Sequence, residues 1–329
     1  MEIHRYSALE DQIFQLSETP DDFEQVALNV FAYQIAHNTL YKTFCELQGI
    51  KEVNRLEDIP FLPISFFKST KVIVDGLSTE VVFKSSGTTG QARSEHHVAF
   101  KEVYERSFQL AYRQLIGEPT NQVIVALLPN YVAQGDSSLV YMVNELIVAS
   151  QDPASGFYLE ELNFLPQRIQ QLKNEGKKIV LFGVSYALMD LAALGPDLSG
   201  VTVIETGGMK GRRKELLKEE LHAELHRGLN GPKMRSEYGM TEMLSQAYCN
   251  DELLFSTPSW LRIKIREIND PRSYVPPGKT GGVNIIDLAN LYSCAFIATD
   301  DLGVEHGNQF KILGRFDNSD IRGCNLLVN

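Results

Sequence analysis

A chain of 329 residues, 43% hydrophobic and 22% charged, is long enough for one large core or two unequal domains, and its composition is neither disordered nor fibrous. A formal net charge of −11 argues against a general nucleic-acid binder, which needs a basic face, but leaves room for a small anionic ligand at a local patch. Four scattered cysteines (Cys45, Cys249, Cys294, Cys324) form no CxxC pair, so no disulfide framework or zinc site is expected, and a reducing cytoplasm is.

The first residues lack the basic-then-apolar pattern of a signal peptide, and no apolar run approaches the roughly eighteen residues of a membrane helix, so a soluble protein is expected. From about Ala8 to Leu47 apolar residues recur at helical spacing, with a helix-start signal at Ser17-Glu-Thr-Pro-Asp-Asp22. Ile59-Pro-Phe-Leu-Pro-Ile-Ser-Phe-Phe-Lys68 carries two prolines, which forbid a regular helix and suggest an ordered loop packed on a core. Strand and helix patterns then alternate. Strands are expected at 80–84, 123–128, 178–182 and 201–205, and helices at 101–116, 137–148, 159–174 and 212–229. Such alternation implies an α/β architecture with a largely parallel sheet. From Ser256 the texture changes to short strands at 260–268, 281–286, 293–298 and 310–313, two of them separated by the turn Val275-Pro-Pro-Gly-Lys-Thr-Gly-Gly282.

Lys84-Ser-Ser-Gly-Thr-Thr-Gly90 follows a strand pattern. Its glycines allow a tight turn that aims backbone N–H groups at a ligand, and its four hydroxyls add donors, a concave set that suits a polyphosphate. The spacing is not that of a Walker A loop. Taken alone, the run reads more readily as a surface turn. Four companions change that: Ile204-Glu-Thr-Gly-Gly-Met209, Ser236-Glu-Tyr-Gly-Met-Thr-Glu242, Thr299-Asp-Asp-Leu-Gly303 and Gly314-Arg-Phe-Asp-Asn-Ser-Asp-Ile-Arg-Gly323.

In this order the five segments resemble the motifs of the adenylate-forming superfamily of acyl ligases. The resemblance implies ATP and Mg2+ as cofactors. It implies that Ser85, Ser86, Gly87, Thr88, Thr89 and Gly90 cradle phosphates, and that Gly207, Gly208 and Met209 form a platform for adenine. By the same resemblance Tyr238, Gly239 and Arg315 belong to the nucleotide site, Thr241 contacts the α-phosphate, Glu242 supports the metal, and Asp301 binds ribose hydroxyls. Asp300 stands where the superfamily usually has glycine. Lys84 and Arg93 are candidates for added positive charge. The implied reaction is attack of a substrate carboxylate on the α-phosphorus, giving acyl-adenylate and pyrophosphate.

Ligases of this superfamily usually continue into a mobile domain with a catalytic lysine, whereas this sequence stops at Asn329, and no such domain is expected. That ending, with the proline segment 59–68 and Ile321-Arg-Gly-Cys-Asn-Leu-Leu-Val328, resembles the acyl-protein synthetase (LuxE-type) branch of bacterial fatty-acid reductase complexes. The branch implies a fatty acid as substrate, an acceptor protein, carrier protein or reductase subunit as partner, and a cysteine near the C-terminus as acyl carrier. Cys324 matches it, and Arg315 and Arg322 are near enough in sequence to lower its pKa. The alternative for Cys324 is a small apolar filler, and the other three cysteines read as core.

Two further readings stand beside the ligase. Phe182-Gly-Val-Ser-Tyr-Ala187 follows a strand and precedes a helix, the setting of a nucleophile elbow, so Ser185 could serve an esterase or acyltransferase. A catalytically weak nucleotide-binding subunit of a complex is the third. Adjacent His96 and His97 should point to opposite strand faces, and His222 and His226 suit a solvated helix face better than a metal. The basic residues of Gly211-Arg-Arg-Lys-Glu-Leu-Leu-Lys-Glu-Glu220 likewise read as solvated. The expected organisation is a helical segment at 1–70, an α/β nucleotide- and acyl-binding core at 71–255 and a β-rich subdomain at 256–329.

Overall fold

Val123-Ile-Val-Ala-Leu127 and Ile179-Val-Leu-Phe-Gly-Val184 are apolar at every position and buried at every position. Strands of that kind need cover on both faces, the condition met by a parallel sheet sandwiched between helices. In the computed structural model, which describes residues 5–17, 20–50, 52–86, 92–129, 135–207 and 216–316, they pair in parallel with Val123 opposite Ile179. The chain forms two compact units, Val82–Glu95 with Phe100–Pro258, and Met1–Val81 with His96–Ala99 and Ser259–Asn329.

In the first of these, strands run in the order Phe255–Ser256, Ala247–Cys249, Lys233–Tyr238, Thr202–Thr206, Ile179–Val184, Val123–Leu127 and Gly156–Phe157. All neighbours from Lys233–Tyr238 onward are parallel, and the first two strands are antiparallel additions. Helices Lys101–Leu115, Ser138–Ser150, Leu165–Asn174, Ser185–Ala192 and Lys218–Gly228 supply the crossovers and cover. Leu165–Asn174 and Lys218–Gly228 begin later than the sequence suggested. Pro166 lies at the start of Leu165–Asn174, preceded by a separate 3-10 turn at Leu159–Glu161. Lys218–Gly228 starts where Glu219 and Glu220 favour the positive end of the helix dipole. The core stacks Tyr112 on Phe182 at 6.2 Å and sets Tyr248 edge-on to Tyr112 at 6.4 Å.

The other unit joins the two ends that the sequence reading kept apart. Helices Ser7–Phe14, Pro20–His37 and Thr39–Leu47 belong with strands Leu261–Arg266, Thr280–Asp287, Phe296–His306 and Gln309–Arg315. Asn38 caps the third helix through Tyr41 N and also donates to the Ser293 carbonyl at 2.9 Å. Gln34 donates to the carbonyls of Asn290 and Leu291. The proline segment is indeed not a regular helix: Leu62-Pro63 adds a short parallel strand beside Ile297-Ala298, followed by a single turn at Phe66–Ser69. Among the described residues no helix is long and apolar enough to cross a membrane.

Candidate active site

The carboxyl ends of parallel strands are where an open α/β sheet leaves a crevice for ligands. Here those ends are Thr206-Gly207 and Tyr238-Gly239, two of the segments singled out in the sequence. Gly207 has φ +74°, a left-handed conformation that favours glycine. Gly239 is instead crowded: a Cβ there would collide with the Glu237 carboxylate and come within 3.3 Å of Gln246 Cγ. Thr241 is half-buried and Glu242 is buried just beyond this turn. Gly208 and Met209 lie outside the described residues, as does the basic stretch Arg212-Arg213-Lys214.

Behind these turns sits a buried polar network that the sequence reading missed. Glu205 is fully buried, and its two oxygens accept from Ser185 Oγ at 2.5 Å, Lys218 Nζ at 2.5 Å and Ser236 Oγ at 2.8 Å. Ser185 also reaches the Gly207 carbonyl at 2.8 Å, and His222 Nε2 meets Ser236 Oγ at 2.8 Å. Burial holds the His222 imidazole down to about 4, so it is neutral at pH 7. Beside it, Thr206 Oγ1 donates to Glu237 at 2.6 Å. Burial pushes the Glu237 carboxyl up to about 7, with the charge of Glu205 adding to the effect while the Thr206 hydrogen bond and Lys218 oppose it. One signal was legible: Glu205 is the only charged residue of the parallel strand Thr202–Thr206.

This network corrects three expectations. Ser185 does begin a helix right after a strand, but it is 1% exposed and its hydroxyl is held by a carboxylate and a carbonyl, so the geometry does not support a nucleophile there. The described lysine of the basic run, Lys218, is not simply solvated but paired with Glu205. His222 is buried while His226 is exposed, so the pair is not simply a solvated face.

At the phosphate-loop candidate the structure fixes the base. Lys84 N donates to the Asp136 carbonyl, Ser85 N to the Ser94 carbonyl, and Ser94 N to Ser85 Oγ at 2.9 Å. Arg93 braces the same turn, donating to the carbonyls of Ser85 and Lys84 and to Asp136 Oδ2 at 2.9 Å. Lys84 Nζ pairs with Glu95 at 2.8 Å. Ser86 is described and exposed, whereas Gly87, Thr88, Thr89 and Gly90 lie outside the described residues.

In the unit that contains the β-rich end, Asp301 is nearly buried and accepts from Arg315 Nε at 3.1 Å, while its own N–H donates to Thr299 Oγ1. The structure thus brings Asp301 and Arg315 together. Cys324 lies outside the described residues. Cys45, Cys249 and Cys294 are buried thiols whose pKa values burial raises, in keeping with core positions. His96 is buried against Phe67 and His97 is half-buried, the alternation expected on a strand. Among the described residues no three His, Cys, Asp or Glu side chains converge as a metal cage. Mg2+ needs no such cage, since it is usually held by one or two carboxylates together with substrate phosphates.

A family model described as "Acyl-protein synthetase, LuxE" matches residues 7–329. A long-chain-fatty-acid–luciferin-component ligase of Vibrio harveyi is 24% identical over 354 aligned residues, covering 97% of this chain and 90% of that protein. Among solved structures, a 2-hydroxyisobutyryl-CoA ligase in complex with 2-HIB-AMP and CoA matches with a TM-score of 0.66 and 13% identity, over 96% of this chain and 73% of the other. ATP-bound MatB from Rhodopseudomonas palustris matches with a TM-score of 0.53 and 18% identity, over 72% of this chain. The match spans only 48% of the MatB chain. The fold is that of adenylate-forming ligases, as the motif order implied.

Proposed function

The chain belongs to the LuxE acyl-protein synthetase family, and from that membership we propose that it activates a carboxylic acid with ATP and passes the acyl group to a thiol. The observation that carries the reading is the family match over residues 7–329, with Gly207 and Tyr238-Gly239 at the carboxyl ends of adjacent parallel strands. The relative's name supports a fatty acid as the substrate. In the first half-reaction a carboxylate oxygen bonds to the α-phosphorus as the bond to the pyrophosphate oxygen breaks. In the second, a thiolate attacks the acyl carbonyl and AMP leaves with the electron pair of the broken mixed-anhydride bond.

Residues Ser85 to Gly90, with Lys84, hold the β- and γ-phosphates in this reading. Thr241 donates to the α-phosphate where charge develops. Gly207 to Met209 and Tyr238 flank adenine, and Asp301 and Arg315 take the ribose hydroxyls. Glu242 with phosphate oxygens would hold Mg2+, which when bound neutralises charge on the polyphosphate. Cys324 is the first candidate for the acceptor thiol, ahead of a partner's cysteine, a phosphopantetheine arm or coenzyme A.

Acid-dependent exchange of labelled pyrophosphate into ATP, run with long-chain, short-chain and aromatic acids, tests the activation step. Exchange with at least one class is expected. ATP binding without exchange for any acid would sink the reading and favour a nucleotide-binding subunit. For the acceptor, labelled acid should become protein-bound in the wild type and not in Cys324→Ser; equal labelling of both rules Cys324 out.

A further inference from the structure

The turn read as Val275-Pro-Pro-Gly-Lys-Thr-Gly-Gly282 has a consequence beyond joining two strands. Its last glycine lies directly opposite Arg266 on the neighbouring strand. A Cβ on Gly282 would fall 2.5 Å from Arg266 Cζ and 2.8 Å from both terminal nitrogens, and one on Gly281 would run into the Arg266 carbonyl. Gly282 therefore leaves the space in which the guanidinium lies across the sheet, while Gly281 allows the close approach of the Arg266 backbone. From it Arg266 donates to the Val283 carbonyl at 2.9 Å, to Asn284 Oδ1 at 3.0 Å and to the Thr299 carbonyl at 2.7 Å.

Those acceptors coincide with an irregularity in the ladder. Strand Thr280–Asp287 pairs Gly282 with Leu302 and then Asn284 with Ala298, so Thr299, Asp300 and Asp301 bulge out of register with it. Bulges of this kind re-aim side chains next to active sites, and they leave carbonyls that need another donor. Arg266 is that donor for Thr299. Thr299 in turn donates its hydroxyl to the Val283 carbonyl at 2.9 Å and accepts the Asp301 N–H at 3.1 Å. Asp300 accepts the Phe316 N–H, and the Phe316 ring lies 6.0 Å from the guanidinium. A planar fork with several donors can serve carbonyls of two strands at once, which a lysine ammonium cannot do with the same geometry.

We propose that Arg266, seated over Gly282, is a positioning residue that holds the Thr299–Asp301 bulge so that the Asp301 carboxylate is aimed at the ribose hydroxyls of ATP. This rests on the reading of Asp301 given above. Two perturbations separate loss of the group from loss of its position. Arg266→Met removes the donors. Gly282→Ala keeps the charge, places no residue in a left-handed conformation and pushes the flexible end of Arg266 off its acceptors.

The measurement is acid-dependent pyrophosphate exchange with ATP, 2′-deoxy-ATP and 3′-deoxy-ATP, on the full chain, beside the thermal midpoint of each variant. Loss of one or two hydrogen bonds from a charged donor predicts a rise of about tenfold in KM for ATP with kcat changed by less than about threefold. The preference for ATP over the deoxy analogues should shrink in both variants, KM for the acid should hold, and Arg266→Lys should recover only part of the loss. Asp301→Asn is the reference. If it loses ribose discrimination while Arg266→Met and Gly282→Ala keep it, the positioning role is wrong. If Asp301→Asn keeps discrimination, the ribose reading itself fails. Should Arg266→Met not fold, Gly282→Ala decides alone.

Discussion

Replacing Glu205 by glutamine tests whether the buried network holds the strand ends together. The change is isosteric, so it opens no cavity. It removes the negative charge that faces Lys218 at 2.5 Å, and an amide cannot accept from Ser185, Ser236 and Lys218 all at once. Breaking a fully buried ion pair costs about 3–5 kcal/mol. The Lys218 side chain is 32% exposed and can turn to water, which lowers the figure. We expect about 2 kcal/mol for Glu205→Gln, or a fall of roughly 4–8 °C in midpoint at about 2–4 °C per kcal/mol. The one tryptophan, Trp260, lies in the other unit, so its emission is a poor reporter. Far-UV circular dichroism, with amide exchange over 202–206 and 233–238, reads the effect. A double-mutant cycle with Lys218→Met should give a coupling of about 1–2 kcal/mol. A Glu205→Gln midpoint within a degree of wild type, with no coupling, refutes the argument.

Glu237 and His222 predict opposite pH dependences. The Glu237 carboxyl has its pKa raised from 4.5 to about 7, so the folded state holds a proton that the unfolded state has lost. Its contribution is present below about 4.5 and disappears as pH rises to 7, and Glu237→Gln should flatten denaturation midpoints over that window. The His222 pKa is lowered from 6.5 to about 4, so stability falls as pH drops between those values; His222→Gln should remove that slope in urea titrations. Gly239→Ala forces a methyl against the Glu237 carboxylate and Gln246, and should cost about 1–3 kcal/mol with a matching loss of pyrophosphate exchange. An unchanged midpoint for Gly239→Ala would show that the turn relaxes freely.

What the sequence made legible was local. Val123–Leu127 and Ile179–Val184 declare themselves because a strand buried on both faces must be apolar throughout. The motif order made the fold legible as well. Pairings across long stretches of chain were not readable. Nothing in Leu62-Pro63 indicates that Ile297-Ala298 will lie beside it, and nothing in Gln34 or Asn38 names the carbonyls near residue 290 that they satisfy. For that reason the helical start and the β-rich end looked like separate segments. Charge misled for a related reason: Lys218 stands in a run of charged residues, and its partner Glu205 sits 13 positions earlier, near the end of strand Thr202–Thr206. The glycines at 281 and 282 read as turn residues because periodicity carries no information about a side chain crossing from the next strand.

The two basic residues at the phosphate-loop base look equivalent in sequence, yet the structure separates them. Both are about 39% exposed, and each has a carboxylate partner. Arg93 also donates to the Ser85 and Lys84 carbonyls, so drawing it toward a ligand would release two backbone acceptors of the turn. Lys84 holds only the Glu95 side chain among the contacts described, and that carboxylate is 43% exposed. An exposed pair of this type is worth about 0–1 kcal/mol, so a polyphosphate, with more charge than one carboxylate, can displace Glu95 at little cost. Geometry therefore separates the two: Arg93 braces the Lys84-Ser85 backbone, while the Lys84 side chain has the weaker hold. Screening adds a constraint. Around a chain of net charge −11, a nucleotide is repelled at long range, and over a Debye length of about 8 Å only nearby cations offset that repulsion. With the phosphates held as proposed, Lys84→Met should therefore raise KM for ATP more at low ionic strength than at high, as read by pyrophosphate exchange across a salt series.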